Sequence, residues 1–466
     1  MTVLDAKIAA ARAVGELARR AGRGGGTSLP GKVLTRLDPD AIERLASRLP
    51  QGCAVISSTN GKTTTAAMAA AVLEGAGTTL VHNRAGANMA GGVASTLLQA
   101  ARRGGGIDGR LGLFEVDEFW LDRVVPQVHP KALLLGNLFR DQLDRYGELE
   151  TIADRWAAIV AALPAGCALG CNADDPLIAD LGRHHPGVRY FGVEDPAMAT
   201  AQMQHASDSK HCRRCGAAYE YDAIYLGHLG VYRCPSCGQQ RPDPVVAARH
   251  VRLEGTRSAA FELHTPLGAA DVKLPLPGLY NVYNALGAAT LCLSLGVPLT
   301  AIATGLAAVS PAFGRAERVA IGRQELSILL IKNPAGANEI VRTLVLEPEE
   351  LDLLAVLNDR TADGRDISWI WDADFEMLAG HVRHVTCAGT RAAELALRLK
   401  YAGVPRSRLS VTSELGPALD AALDACPTTR LFALPTYTAL LELRQELQRR
   451  GHVAAFWSDE PAEARR

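Results

Sequence analysis

The chain opens with an alanine-rich stretch, "MTVLDAKIAAARAVGELARRAG", in which apolar residues recur at helical spacing between arginines and a glutamate. The pattern changes at "GCAVIS", residues 52–57, a partly β-branched apolar run that predicts a buried strand. It changes again at "TTTAAMAAAVLEGAG", which predicts a helix ending at glycine, with the tight polar turn "STNGK" in between. Further on, "GRLGLFEVDEFWL" predicts a strand that delivers Glu115 at its end. Near the end of the chain, "HVTCAGTRAAELALRL" and "RLFALPTYTALLELRQEL" each pair an apolar run with an amphipathic stretch. Strands that alternate with helices in this way build open α/β domains.

Composition limits what such a chain can be. With 466 residues, 48% hydrophobic and 21% charged, it has room for two or three domains with separate cores. A formal net charge of −1 gives no global attraction to nucleic acid or acidic lipid. The first residues lack the apolar core of a signal peptide, and no later stretch is long and apolar enough to span a bilayer, so a cytoplasmic protein is expected.

Ten cysteines might suggest disulfides, but their distribution argues for a reduced protein with one metal knot. Cys53, Cys167, Cys171, Cys292, Cys387 and Cys426 lie mostly in apolar surroundings, where cysteine acts as a small hydrophobe. The other four form "CRRC" (Cys212, Cys215) and "CPSC" (Cys234, Cys237), each followed by a glycine that allows a tight turn. Two such knuckles separated by residues 216–233 match the spacing of a four-cysteine zinc ribbon, a closed structural site. Redox chemistry would need each pair to work alone, and nucleic-acid reading would need a basic face that the spacer lacks.

The turn "SSTNGKTTTA" raises the question of nucleotide binding. A strict G-x-x-x-x-G-K-[ST] loop requires glycine at position 56, where this chain has Ile56. A strand, a glycine turn and a helix N-terminus still make a phosphate cradle from Thr59, Asn60, Gly61, Lys62, Thr63 and Thr64. Gly61 lets the backbone approach the phosphates, Lys62 can neutralise them, and Thr63 can enter a magnesium shell. Glu115, at the carboxyl end of a strand beside that loop, suits the same hard cation.

The shortened loop resembles that of the Mur ligase family, G-[TS]-N-G-K-[TS]-[TS], except at Ser58, where the family has glycine. Other landmarks of that family follow in order. The Glu115 strand resembles its magnesium-binding segment, with Asp117 and Glu118 beside it. "NLFRDQLDRYG" resembles its N-x-x-x-D-H-L-D-x-x-G segment, with Gln142 in place of the histidine that helps hold a second magnesium. "GCNADDP" resembles an N-x-D-D loop, although a capped helix start explains it as well. "LPGLYNVYNALGAA" resembles a G-x-H-N-x-x-N helix start, with Tyr280 replacing histidine and Asn281 expected on the adenine side. "SPAFGRAERV" resembles the linker whose arginine, here Arg315, precedes the C-terminal domain. "IKNPAG" then stands where peptide-forming members carry "DYAHNP". About fifty residues precede Ser57, too few for the UDP-binding domain of those members.

With the zinc ribbon and "LNDRTADGRDISWIWDADFE", nearly the whole chain resembles the MurT branch of the family. That resemblance implies an α/β Mur-ligase-like P-loop ATPase domain over 51–315 with a zinc ribbon inserted at 205–242. A helical segment over 1–50 precedes it, and a Rossmann-like α/β domain over 316–466 follows. It further implies ATP-dependent amidation of the D-glutamate α-carboxylate of lipid II, at the inner membrane face, through an acyl phosphate. Ammonia would come from the glutaminase subunit GatD, and ATP, Mg2+ and Zn2+ would be bound. A folylpolyglutamate-synthetase-like or other peptide ligase would share the ATP site, and a zinc-ribbon NTPase that binds nucleic acid would share loop and knuckles but should show a basic stripe. Among Asp359, Asp363, Asp366, Asp372 and Asp374, most are expected to be solvated, whereas Asp359 directly follows the strand "DLLAVLN", where open sheets place functional groups. Asp359, with Asp363 as second choice, is expected to support the glutaminase histidine.

Overall fold

A computed structural model of the chain describes residues 3–20, 28–83, 87–102, 104–140, 149–205, 207–310 and 315–453. Its strands in chain order are β1 (Cys53–Ser57), β2 (Leu80–His82), β3 (Leu111–Glu115), β4 (Ala132–Leu135), β5 (Ala168–Asn172), β6 (Val188–Val193), β7 (Glu220–Leu226), β8 (Leu229–Arg233) and β9 (Val246–Glu254). They continue with β10 (Ser258–Thr265), β11 (Gly268–Leu274), β12 (Arg315–Ile321), β13 (Gln324–Leu329), β14 (Leu351–Val356), β15 (Val382–Ala388), β16 (Leu409–Val411) and β17 (Arg430–Pro435).

Nine strands form one sheet in the order β11-β10-β9-β6-β5-β4-β1-β3-β2. From β2 to β9 neighbouring strands pair in parallel, and β10 and β11 close the far edge antiparallel. Every residue of β1, β3 and β4 is buried, which is why these runs read as continuously apolar rather than alternating: helices cover both faces of the sheet. One face packs on helices Lys62–Gly75 and Leu279–Ser294. The other packs on helices Ala90–Ala100, Leu121–Val128 and Leu149–Ala162.

The second sheet has the order β12-β13-β17-β14-β15-β16, parallel except for the edge strand β12. A single apolar core runs from the first sheet into the second, through Leu134, Leu286, Leu329, Ile331, Ala335 and Phe432. The carboxyl end of β13 therefore points at the carboxyl edge of the nine-stranded sheet. β7 and β8 stay apart as a two-stranded hairpin between the cysteine pairs.

The opening helical pattern is a helix over Val3–Arg20, followed by helices Leu29–Leu37 and Ala41–Ala46. They rest on helix Ala90–Ala100 with no room to spare: a Cβ on Gly31 would lie 2.0 Å from the Gly91 carbonyl oxygen and 2.5 Å from the Ser95 amide nitrogen. Gly31 also donates its amide to Ser95 Oγ at 2.8 Å. Backbone cannot retreat as a side chain can, so Gly31→Val should cost about 1–3 kcal/mol, read as a lower midpoint in urea unfolding, with Gly31→Ala intermediate. An unshifted midpoint for Gly31→Val would mean that this helix does not dock there.

Candidate active site

The turn after β1 is built by close backbone approach. Gly61 has φ +85°, and a Cβ there would sit 2.0 Å from Asn284 Oδ1, so only glycine fits. Asn137, just beyond β4, clamps the turn from the other side: the Asn60 amide donates to Asn137 Oδ1 at 2.9 Å, and Asn137 Nδ2 donates to the Asn60 carbonyl at 3.0 Å. The Thr59 amide donates to the Asn137 carbonyl at 2.9 Å. Ser58 replaces the glycine of the resembling loops and donates its hydroxyl to the Asn60 carbonyl at 2.6 Å. Space for that side chain comes from Gly136, where a Cβ would meet Ser58 Oγ at 2.8 Å.

Lys62 begins helix Lys62–Gly75, and its side chain is buried. Its ammonium donates to the Ser58 carbonyl and to Glu118 Oε2, the latter at 2.5 Å. Burial alone would push the ammonium pKa down, but Glu118, then Asp117 and Glu115, more than reverse this and raise it. Lys62 is therefore a fixed positive charge throughout the physiological range. Glu118 is held in turn through its backbone, whose carbonyl accepts from Trp156 Nε1 at 3.0 Å. Thr63 Oγ1 donates to Glu115 Oε1 at 3.0 Å, and Asn83 brackets the Glu115 backbone with bonds of 2.9 and 2.7 Å. Among the expected site residues, Thr63 thus meets Glu115, and Lys62, bonded to Glu118, lies in the field of the same carboxylate. Convergent hard oxygens and a buried ammonium at a helix N-terminus fit a magnesium–polyphosphate pair.

The second sheet completes the site. Lys332 and Asn333 follow β13: Lys332 Nζ donates to the Thr59 carbonyl at 3.4 Å, and Asn333 Nδ2 donates to Asn60 Oδ1 at 3.0 Å. Asn333 Oδ1 also accepts the Gly336 amide at 2.8 Å, capping helix Pro334–Leu344, which has proline in its first turn. Between loop and helix lies a cleft that is partly open to solvent. Asn60, Gly61 and Asn284 edge it on the loop side, Phe139 and Tyr280 flank it, and Ala335 and Ile340 form the opposite wall. Asn281 does not line it. Its amide is turned to the Pro277 carbonyl at 2.7 Å, and its Oδ1 accepts from Asn284 Nδ2 at 3.0 Å, so Asn281 reaches the cleft only through Asn284. Arg315 begins β12, but its side chain, like Gln142, lies outside the described residues. In "NADDP", Asp175 is the helix cap, accepting the Leu177 and Ile178 amides.

The cysteines between β6 and β9 come together. Ligand sulfurs of Cys212, Cys215, Cys234 and Cys237 all lie within 4.8 Å of one another, with Cys212–Cys237 at 3.5 Å and Cys215–Cys234 at 3.4 Å. Thiolates arranged tetrahedrally around zinc stand about 3.8 Å apart, so the four fit that ion with no position left open. Gly216 and Gly238 take φ +76° and +72° in the turns after each pair. Arg213 and Arg214, inside the first knuckle, pair with Asp154 and Asp180 of the underlying helices.

In the carboxylate run Asp366 and Asp372 are exposed and Asp359 and Asp374 half-buried. Asp363 is buried and accepts from the Thr438 amide at 2.7 Å and hydroxyl at 2.5 Å. Asp366 accepts the Ser368 amide, Asp372 pairs with Arg140 at 3.7 Å, and Asp374 accepts from Asn338 Nδ2 at 2.9 Å. Asp359 lies just past β14, where it accepts from Thr390 Oγ1 at 2.8 Å and Arg391 Nη1 at 3.2 Å. The Thr390 bond, helped by Arg391, holds its carboxyl below the ordinary carboxylate range.

Sequence reasoning left Glu118 unassigned and passed over Asn137, Asn284, Lys332 and Asn333. Asn137 heads a quoted motif, and the Asn-Pro pair at 333–334 is a helix-start signal, so both were open to discovery.

Known proteins resemble this chain in sequence and in fold. The Mur ligase middle domain matches residues 56–232, and the MurT ligase C-terminal domain matches residues 330–440. The chain is 34% identical to the lipid II isoglutaminyl synthase (glutamine-hydrolysing) subunit MurT of Streptococcus pneumoniae, over 92% of this chain and 93% of that one. Against the subunit of the same name from Staphylococcus aureus it is 33% identical, over 93% and 96%. The chain belongs to the MurT family. Its fold is that of the Mur ligases. A pseudomurein peptide ligase type C from Methanothermus fervidus superposes with a TM-score of 0.67 at 23% identity, covering 87% of this chain and 80% of that one. MurF from Acinetobacter baumannii gives 0.63 at 18%, covering 88% and 78%. As a member of the MurT family the chain is a ligase subunit.

Metal analysis of this MurT-family chain should find one zinc per molecule. Cys212→Ser with Cys234→Ser should abolish it and lower Tm by roughly 5 °C or more, since binding energy at a closed site is folding energy. Zinc-free protein with an unchanged Tm would contradict the structural role.

Proposed function

We propose that this chain is the ATP-dependent ligase subunit that amidates the D-glutamate α-carboxylate of lipid II, producing D-isoglutamine. The observation that carries the reading is that Lys62 on Glu118 and Thr63 on Glu115 occupy the first turn of one helix, while the loop before it is bonded to Lys332 and Asn333, which follow β13, beside the cleft. The ligase subunit would comprise an N-terminal helical segment over 1–50, a central domain over 51–315 carrying the ribbon at 205–242, and a C-terminal domain over 316–466.

A carboxylate is a poor electrophile. One of its oxygens attacks the γ-phosphorus of ATP, the bond to ADP breaks, and an acyl phosphate forms. Ammonia then attacks the acyl carbon, the C–N bond forms, phosphate leaves with the C–O electron pair, and a proton passes to solvent. The turn amides and the Lys62 ammonium face the phosphates and offset charge that builds up on the transferred group. Thr63 and Glu115 would hold magnesium, which supplies Lewis-acid neutralisation of the phosphate oxygens. Thr59, Asn60 and Thr64 shape the cradle, Asn284, backed by Asn281, edges the nucleoside cleft, and Arg315, at the start of β12, is the further ATP-binding residue of this reading.

Ammonia requires a partner. Each cysteine outside the knot is buried, and burial raises its thiol: Cys53 and Cys387 to about 12, Cys167 to about 11, with Cys171, Cys292 and Cys426 also raised. None offers the activated thiolate that glutamine hydrolysis needs. A glutaminase subunit, GatD, is the proposed source, with Asp359 orienting its catalytic histidine. Because lipid II is membrane-bound, the enzyme would work in the cytoplasm at the inner membrane face; among the described residues no helix is long and apolar enough to cross it.

Lys62→Ala and Glu115→Ala should each reduce ammonium-driven amidation by about a hundredfold or more while far-UV CD shows the fold retained; Lys62→Ala should also lower Tm, because Glu118 is left buried without its partner. Near-normal turnover would remove that residue from the site. Asp359→Asn, in an assembled complex, should lose glutamine-driven amidation and keep the ammonium-driven reaction. Equal loss of both would move Asp359 into the ligase site.

A further inference from the structure

The hairpin that grows out of the cysteine knot ends inside the cleft. β7 and β8 carry the chain roughly 20 Å away from the knot, at about 3.3 Å per residue, and at the tip Leu226 and Leu229 line the cleft. Gly227, between them, has φ +57°, and a Cβ there would lie 2.9 Å from Phe139 Cε1, so the tip is pressed against another lining residue. The His228 ring lies 4.5 Å from the Phe139 ring, centroid to centroid, in a fully buried position.

Two further links tie the ribbon to the cleft. Arg241, four residues after the last knuckle cysteine, donates from Nε to Asp174 Oδ1 at 2.6 Å. Asp174 accepts the hydroxyl of Tyr283, another lining residue, at 2.6 Å, and the Gly230 amide reaches the Asp174 carbonyl at 2.9 Å. On the side of the second sheet, Arg342 Nη1 donates to the Tyr225 carbonyl at 2.8 Å, from the helix that forms the opposite wall.

We propose that the ribbon hairpin is a nucleotide-positioning element, in which Leu226 and Leu229 form the wall against which the nucleoside packs, so that metal at the knot and nucleotide in the cleft favour each other's binding. The inference rests on the reading of this cleft as the ATP site. Among the described residues β7 and β8 pair with no other strand and are joined to the preceding chain by the single bridge Thr200–Ile224, and a two-stranded hairpin with so little pairing is marginal in water. Its tip holds its place because the knot fixes one end and the cleft receives the other. Linkage of this kind is reciprocal: the factor by which zinc tightens nucleotide binding equals the factor by which nucleotide tightens zinc binding.

The test titrates the full-length protein with a fluorescent, non-hydrolysable ATP analogue and measures zinc affinity by chelator competition with and without that analogue. The double variant Leu226→Ala, Leu229→Ala should keep one zinc per chain yet bind the analogue about tenfold more weakly or worse, raise KM for ATP more than it lowers kcat, and abolish the tightening of zinc by nucleotide seen in wild type. Ala335→Trp fills the same cleft from the opposite wall and serves as control. If Ala335→Trp weakens binding but the tip variant binds within about twofold of wild type, the ribbon inference is overturned and the cleft reading stands. If neither variant weakens binding, the nucleotide lies elsewhere and both fall.

Discussion

A buried positive charge organises this molecule. Lys62 is 7% exposed, and an ammonium taken out of water costs several kcal/mol unless its surroundings replace the lost solvation. The Ser58 carbonyl and the Glu118 carboxylate do so, with Asp117 and Glu115 adding to the field. Each requires its own scaffold. Ser58 sits on the turn after β1, Glu118 on the segment after β3 that Trp156 holds, and Glu115 on the last residue of β3 between the bonds of Asn83. A buried ion pair is a poor way to gain stability, because packed hydrophobic side chains would do as well. It is an effective way to keep a charge at one place, which is what the proposed phosphoryl transfer requires of Lys62.

The same economy governs how the two sheets meet. Their shared core brings the end of β13 over the turn, and the contacts there are single polar bonds from Lys332 and Asn333 to Thr59 and Asn60. Asn333 performs two tasks with one side chain: its oxygen caps a helix and its amide reaches the loop. The ribbon adds a third body at this junction. Gln204 donates to Glu339 at 3.0 Å and accepts from Asn338 at 3.3 Å, which binds the approach to the first knuckle to the helix on the far wall.

Features confined to a few neighbouring residues were legible in the sequence. β1, the turn and the helix over Lys62–Gly75 follow from periodicity and one glycine, and the knuckles follow from spacing, so those predictions and the structure coincide. The α/β alternation likewise gave both sheets their helices. What stayed hidden depends on distance along the chain. Glu118 is 56 residues from Lys62 and Lys332 is 273 from Thr59, and no local pattern announces either contact. Burial of Asp363 in the otherwise solvent-facing acidic run was hidden for the same reason: it is covered by Thr438, 75 residues away. Asn281 stands where the motif puts it, but the conformation of the helix start turns its amide toward Pro277 and leaves Asn284 to face the cleft.

Two departures from the family motifs show how the fold absorbs change. At Ser58 a hydroxyl replaces a hydrogen, and the neighbouring strand end supplies Gly136 to receive it, so the turn keeps its shape and gains an internal bond to Asn60. At "IKNPAG" the Asn-Pro pair of "DYAHNP" is kept, and with it the helix cap and the proline-started turn. The positions before it differ: aligned on Asn-Pro, the acid and the tyrosine become Leu329 and Leu330, both of which line the cleft, and the histidine becomes Lys332, which reaches the turn. Backbone geometry is thus retained while the chemistry of the wall is replaced. The apolar residues carry a cation at their edge, and the carboxylate of the cleft is supplied instead by Glu339, which also lines it and accepts from Gln204 and Arg342, so the acid is moved along the wall rather than lost.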